Sequence, residues 1–270
     1  MKFQLKTLIA ALALSAASLS AQAAMDTATS TGNGSFVLSM WNQASGTSAT
    51  FDLGFNYNSF SDLVNQSSFN LTTGSYADAW NTFTSLSTSG TTNWAIFAGD
   101  NVGSARTVGS RGYYTTANSL DGMSQISDTA AVISVASNFD VYVGANNNVS
   151  TGNHSSVANG ASTSTLTALS GAGSANAYGT GKAGAAGPIA GAQLDSSLQM
   201  LQILSQGTSA PIANFMADAG GNNYTFKLAS NGLLSVTSAS VTTPVPEADS
   251  YAMLLVGLGL MGVVVRRRKA

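Results

Sequence analysis

The stretch 191–206, GAQLDSSLQMLQILSQ, decides which kind of fold the chain can build. It places Leu194, Leu198, Leu201 and Leu204 at helical intervals, so its spacing predicts an amphipathic helix. Upstream, SYADAWNTFTSL (75–86) puts Tyr76, Trp80 and Phe83 on one helical face, with Ser75 as its N-cap. Around these two segments the pattern changes to strands. SFVLSMW (35–41) alternates Phe36, Leu38 and Met40, and ATFDLGFNY (49–57) alternates Phe51, Leu53, Phe55 and Tyr57. The intervening NQASGTS has the composition of a hairpin turn. NWAIFAGD (93–100) and RGYYTTA (111–117) read as further strands. NYTFKLASNGLLSVTSASV (223–241) alternates Tyr224, Phe226 and Leu228, then turns at Asn231-Gly232 into a second strand. SDTAAVISVASNFDVYVGAN (127–146) supports a helix by length or two strands by its β-branched residues. The expectation is a small α+β domain with hairpins at both ends and two or three helices. An all-β sandwich is the alternative.

Composition narrows the partners. Of 270 residues only 8% are charged, 28 are Gly, and there is no Cys and one His. An ordinary soluble protein carries roughly 25% charged residues. Between the termini the cations are Arg106, Arg111, Lys182 and Lys227, against ten Asp, which gives this body a formal charge of −6. Such a body lacks the basic patch that neutralises phosphates, so no nucleic-acid partner is expected. Without Cys there is neither a disulfide nor a thiolate metal site.

Both ends are membrane elements. Residues 1–23, MKFQLKTLIAALALSAASLSAQA, carry Lys2 and Lys6, an apolar core from Leu8 to Leu19, and Ala21 and Ala23 in an A-x-A cleavage pattern. This is a Sec-type signal peptide, and signal peptidase is expected to leave Ala24 as the mature N-terminus. At the other end, Tyr251–Val265 holds no charge, and Arg266, Arg267, Arg268 and Lys269 follow it. At 1.5 Å per residue the segment is short for a bilayer core of about 30 Å. Snorkelling arginine stems and local thinning make up the difference. Positive charge after the span holds that end inside while the body goes out.

Between the ends the divisions are an exported body at 24–143, a Gly/Ala/Ser/Asn-rich loop or linker at 144–192, and a second part of the body at 193–241. A terminal signal occupies 245–270, with its transmembrane helix at 251–265. The 144–192 tract lacks the periodicity and bulk to bury a core.

Val245, Pro246 and Glu247, the apolar span containing Gly257-Leu258-Gly259, and the terminal Arg cluster resemble the PEP-CTERM sorting signal of Gram-negative bacteria. Ala248 stands where that signal usually has a second proline. The resemblance covers the C-terminal tail and implies no fold for the rest. It implies that a membrane-embedded exosortase, a separate protein, cuts near the Pro-Glu pair. The body is then released or joined to a surface or exopolysaccharide acceptor. Pro246 suits this role because it keeps the recognition segment extended.

Other motifs are decoys. GTGKAG (179–184) and GLGLMG (257–262) match G-x-G-x-x-G, but one lies in the low-complexity tract and the other in the apolar span, not between a strand and a helix. His154 sits in STGNHSS with no G-x-S-x-G elbow elsewhere. Asp121, Asp128 and Asp140 form no calcium loop. Neither catalytic residues nor a cofactor nor a metal is expected. Trp41, Trp80, Trp94, Tyr113 and Tyr114 are the residues that would stack on sugars if loops presented them. Six Asn-x-Ser/Thr sequons, at Asn33, Asn65, Asn70, Asn148, Asn153 and Asn223, are ordinary in so Ser/Thr/Asn-rich a chain. The expected function is a non-enzymatic surface or extracellular-matrix protein, exported by Sec, held transiently in the inner membrane, and retained in an exopolysaccharide or biofilm layer. A secreted carbohydrate-binding or adhesive module and a permanently anchored single-pass protein are the alternatives.

Overall fold

The computed structural model describes residues 25–42, 44–45, 47–104, 107–118, 120, 139–144, 146 and 191–238, and the backbone of 161–164. The described strands are β1 (Ser35–Asn42), β2 (Thr47–Asn56), β3 (Ser68–Asn70), β4 (Thr92–Asp100), β5 (Gly112–Ala117), β6 (Ala161–Ser164), β7 (Ala192–Gln193), β8 (Ser197–Gln206), β9 (Ser209–Phe215), β10 (Tyr224–Leu228) and β11 (Leu233–Ser238). The helices are short: α1 (Ala28–Thr31), α2 (Phe60–Asn65), α3 (Ala77–Leu86) and α4 (139–144). The strands form one antiparallel sheet in the order β3-β11-β10-β8-β5-β4-β1-β2-β6, with β7 added to β4 and β9 to β8. The sheet curls into a nearly closed barrel.

The α+β expectation is therefore overturned, and the stretch that misled it is 191–206. Asp195 turns the chain at φ 67°, and residues 197–206 then run on as β8 in the middle of the sheet. One edge of β8 pairs with β5, from Ala117↔Gln199 to Gly112↔Leu204. Its other edge is divided between β10 (Phe226↔Leu198) and β9 (Ile203↔Ala213). Leu198 and Met200 join one core, Leu201 and Ile203 the other. A strand covered on both faces shows no apolar-polar alternation, so its leucines can fall on a helical spacing by coincidence. The sandwich alternative fails as well, because a single sheet curls round where two stacked sheets were expected.

The two cores differ in who contributes. The interior collects side chains from strands all round the barrel, including Phe36, Phe51, Trp94, Tyr114, Met200, Phe226 and Leu234. Phe60 and Leu63 of α2 and Trp80 and Phe83 of α3 fill it further. Among the described residues the outer core lies on β1, β4, β5 and β8, with Ala213 and Phe215 of β9 packed against it, under Met25, Ala28 and the α4 residues Phe139, Tyr142 and Val143. Phe97 meets Phe139 and Tyr142 edge-on, with ring centroids 6.0 and 5.4 Å apart. Each such fully buried side chain contributes roughly 1.5–3 kcal/mol, so both faces matter to stability.

Polar contacts pin the outer layer. Thr27 is the N-cap of α1, and the Asp140 carboxylate, from a distant part of the chain, accepts the next two amides, Ala28 at 2.5 Å and Thr29 at 3.0 Å. The Tyr142 hydroxyl bonds Thr50 Oγ1 at 2.5 Å and also Ser39 Oγ, reaching two adjacent strands. Inside the barrel, Gln202 Nε2 donates to Tyr114 Oη at 2.9 Å. At Gly112 a Cβ would come within 2.6 Å of the Ile203 carbonyl oxygen, so only glycine lets β5 and β8 approach this closely.

Both expected hairpins are present. β1 and β2 pair with Leu38 opposite Phe51. β10 and β11 pair around the Asn231-Gly232 turn, where Gly232 has φ 84°. The strands expected at 93–100 and 111–117 appear as β4 and β5. Trp80 and Phe83 are buried on α3, but Ser75 is not its N-cap. A 3₁₀ turn, Gly74–Tyr76, leads into the helix, and Tyr76 takes the cap position without a side-chain bond. Residues 139–144 resolve part of the ambiguous 127–146 segment as helix. Among the described residues no helix is long and apolar enough to cross a membrane. The signal peptide at 1–23 and the expected transmembrane helix at 251–265 lie outside the described residues.

Candidate functional site

The barrel does not quite close, and the gap makes a site. β6 pairs with β2 from Ser48 to Phe51, and among the described residues no strand pairs with that edge of β2 beyond Phe51. β11 covers one edge of β3 and leaves the other open. Between these two edges lies a crevice of about 420 Å³, walled by Leu53–Phe55 on one side and Ser68–Asn70 on the other. That is within the range of about 300–1,000 Å³ for small-molecule clefts. The two walls touch at the bottom, where Phe55 and Phe69 meet edge-on with centroids 6.2 Å apart.

Local sequence explains the opening. Gly54 adopts φ 75°, and its amide bonds the Asp52 carboxylate at 2.9 Å. This bend falls beside a break in register with β1 between Ser35 and Val37. Tyr76, at the start of α3, reaches across and donates its hydroxyl to the Asp52 carbonyl oxygen at 2.6 Å. Burial, with the Asp52 charge second, pushes the Tyr76 hydroxyl above its ordinary range, so it stays a donor. Asn70 Oδ1 accepts from the Thr72 amide at 3.0 Å and the Thr72 hydroxyl at 2.7 Å, which holds the amide plane. Gln66, Ser68 and Asn70 are exposed along the rim. Among the described residues no lysine, arginine, histidine or carboxylate lines the crevice.

The residues expected to stack on sugars are not available for it. Trp41, Trp80 and Trp94 are buried, and so are Tyr113 and Tyr114. Phe60 lies flat over Tyr114 with centroids 5.0 Å apart, so that ring face is already occupied. Burial raises the Tyr114 hydroxyl to about 12. Among the described residues no three His, Asp or Glu side chains gather where they would hold a metal ion. His154, Asp121 and Asp128 lie outside the described residues, as do Ala21, Ala23, Ala24, Val245, Pro246, Glu247, Ala248 and the basic tail Arg266–Lys269. Sequence reasoning missed the crevice because β3 is three residues long and shows no usable period. The one local signal was Gly54, a glycine inside a strand pattern, which marks a bulge or bend.

Residues 244–269 match the family model of the PEP-CTERM protein-sorting motif. The match falls on Val245, Pro246 and Glu247, the apolar span and the Arg cluster. It implies exosortase-dependent sorting of an exported protein, and a cell-surface or extracellular fate. No curated protein and no solved structure matches the chain.

Proposed function

We propose that the chain is a non-enzymatic surface or extracellular-matrix protein, delivered by its PEP-CTERM motif and retained in an exopolysaccharide or biofilm layer. The motif at 244–269 is the observation that carries this reading. In it, Sec exports the body and the signal peptidase cuts after Ala23. The apolar span and Arg266–Lys269 then stall the tail in the inner membrane until exosortase processes it near Pro246-Glu247. With no Cys and only 8% charged residues, the fold depends neither on the redox state outside the cell nor on ion pairs that salt would screen.

The test is the intact mass of the protein in cell envelope and medium, in a native host and in the same host lacking its exosortase. Loss of the tail beyond the Pro-Glu pair only when exosortase is present is the expected result. A full-length tail in both strains would make the chain a permanent single-pass anchor and overturn the proposal.

A further inference from the structure

We infer that the seam of the barrel is a binding site for a neutral saccharide, and that through it the exported body holds the polysaccharide around it. This inference rests on the matrix-retention reading above and supplies its ligand class.

The chemistry of the crevice selects the occupant. A pyranose ring has apolar C–H faces and a rim of hydroxyl groups that both donate and accept. The crevice offers the complement: half-buried Phe55 and Tyr76 with Phe69 beneath them, and amide and hydroxyl groups of Gln66, Ser68 and Asn70 at the rim. Among the described residues the Gln66 side-chain amide, the Ser68 hydroxyl and Asn70 Nδ2 have no hydrogen-bond partner, so binding costs them only water. Asn70 is also held in place through Thr72, which reduces the ordering cost on binding. Among the described residues no ionisable side chain other than Tyr76 lines the space and the nearby charge is the Asp52 carboxylate, so a uronate or a phosphate would be desolvated there without a counter-charge. A neutral sugar suffers no such loss.

An added β-strand, the other occupant an open sheet edge invites, fits less well. The Gly54 bend breaks the regular edge of β2, and the Tyr76 hydroxyl already occupies the Asp52 carbonyl. Edge pairing needs a run of free backbone groups in register, and the seam does not provide one.

The test uses the full-length chain in detergent, with cellohexaose, maltohexaose and chitohexaose as neutral probes and an oligogalacturonate as the anionic one. Saturation-transfer NMR and calorimetry read binding, and tryptophan fluorescence confirms the fold of each variant. The expected result is saturation transfer to ring C–H protons of at least one neutral probe and none to the oligogalacturonate. Replacing two exposed rim groups together, Gln66→Ala with Ser68→Ala, should weaken that binding about tenfold, since each hydrogen bond is worth roughly 0.5–1.5 kcal/mol. Failure of every neutral probe, equal binding by the double variant, or preference for the anionic probe overturns the inference. Failure here with normal tail processing in the host leaves the sorting reading intact. Binding here with an unprocessed tail does the reverse.

Discussion

Two tyrosines on the same outer core should respond to loss of a hydroxyl in opposite directions. Tyr142 and Tyr113 are both fully buried there. The Tyr142 hydroxyl bonds Ser39 and Thr50, whereas the Tyr113 hydroxyl is buried without a hydrogen-bond partner. Tyr142→Phe leaves two buried hydroxyls behind, and an unsatisfied buried polar group costs about 1–3 kcal/mol. Ser39 and Thr50 sit directly opposite each other on β1 and β2, so they can partly satisfy one another once the phenol is gone. The expected loss is therefore about 1–3 kcal/mol in total, not twice that. Tyr113→Phe removes a group that is already unsatisfied, so it should range from neutral to about 2 kcal/mol more stable. Urea unfolding followed by tryptophan fluorescence measures both, with an unchanged slope as the check that only stability moved. Trp41 reports the outer core, and Trp80 and Trp94 report the interior. Destabilisation of Tyr113→Phe by more than about 1 kcal/mol would show that its hydroxyl has a partner and refute the reasoning. A silent Tyr142→Phe would show that the phenol is not what ties α4 to the sheet.

Alkaline pH should unfold the protein. Burial holds Tyr142 at about 12 against an ordinary 10.0, and it pushes Tyr57, Tyr76, Tyr113 and Tyr114 upward too. A raised folded-state value means that the contribution is complete below pH 10 and is lost as pH climbs from there towards 12. For Tyr142 alone the loss is about 1.4 kcal/mol per pH unit in that window. A pH titration should show tyrosinate absorbance and tryptophan fluorescence changing together in one step; smooth ionisation of a still-folded protein would contradict this. Gly112→Ala should cost about 3 kcal/mol or abolish folding, because its Cβ meets the Ile203 carbonyl oxygen at 2.6 Å and the Tyr57 hydroxyl at 2.7 Å. A urea midpoint equal to that of the unsubstituted protein would show that β5 and β8 can separate freely. Asp140→Ala should lower stability by about 1–2 kcal/mol and speed hydrogen exchange at the Ala28 and Thr29 amides, since it removes their acceptor and leaves α1 only its Thr27 N-cap. Unchanged exchange at those amides would mean that their bonds to Asp140 are not formed in solution.

What the sequence disclosed followed from how each strand is covered. Strand β10 has polar Lys227 facing solvent between Phe226 and Leu228, so its alternation survived and both it and the Asn231-Gly232 turn were legible. Strand β1 was found through Phe36, Leu38 and Met40, although Val37 and Trp41 on its other face are equally buried. Strand β8 has the same two-sided burial without β1's tidy alternation, and its Leu, Met and Gln residues favour helices intrinsically. Tertiary cover decided that segment, and no local window contains it. The outer layer that supplies the cover comes from Met25–Ala28 and α4, far away in the chain. The crevice was illegible for a related reason. It arises where two edges fail to meet, and a sequence advertises its pairings better than its gaps. The sorting motif was legible because its information is local: a dipeptide, a span and a cluster of cations in fixed order.

The polar architecture of the barrel bears on where it can work. Its long-range ties run largely through neutral groups: Tyr142 to Ser39 and Thr50, and Gln202 to Tyr114. Even the carboxylate of Asp140 is spent on backbone amides. Ties of this kind lose little when salt rises, because screening acts on exposed charges and weakly on short buried hydrogen bonds. They also do not depend on redox conditions, since the chain has no Cys. The same choice leaves few surface charges for solubility, which then falls to the many Ser, Thr and Asn side chains. Those groups hydrogen-bond water and sugar hydroxyls alike, so a surface made soluble in this way remains compatible with a polysaccharide layer instead of being excluded by charge. Fold stability and extracellular fate thus draw on one compositional decision, the replacement of charge by neutral hydrogen bonding.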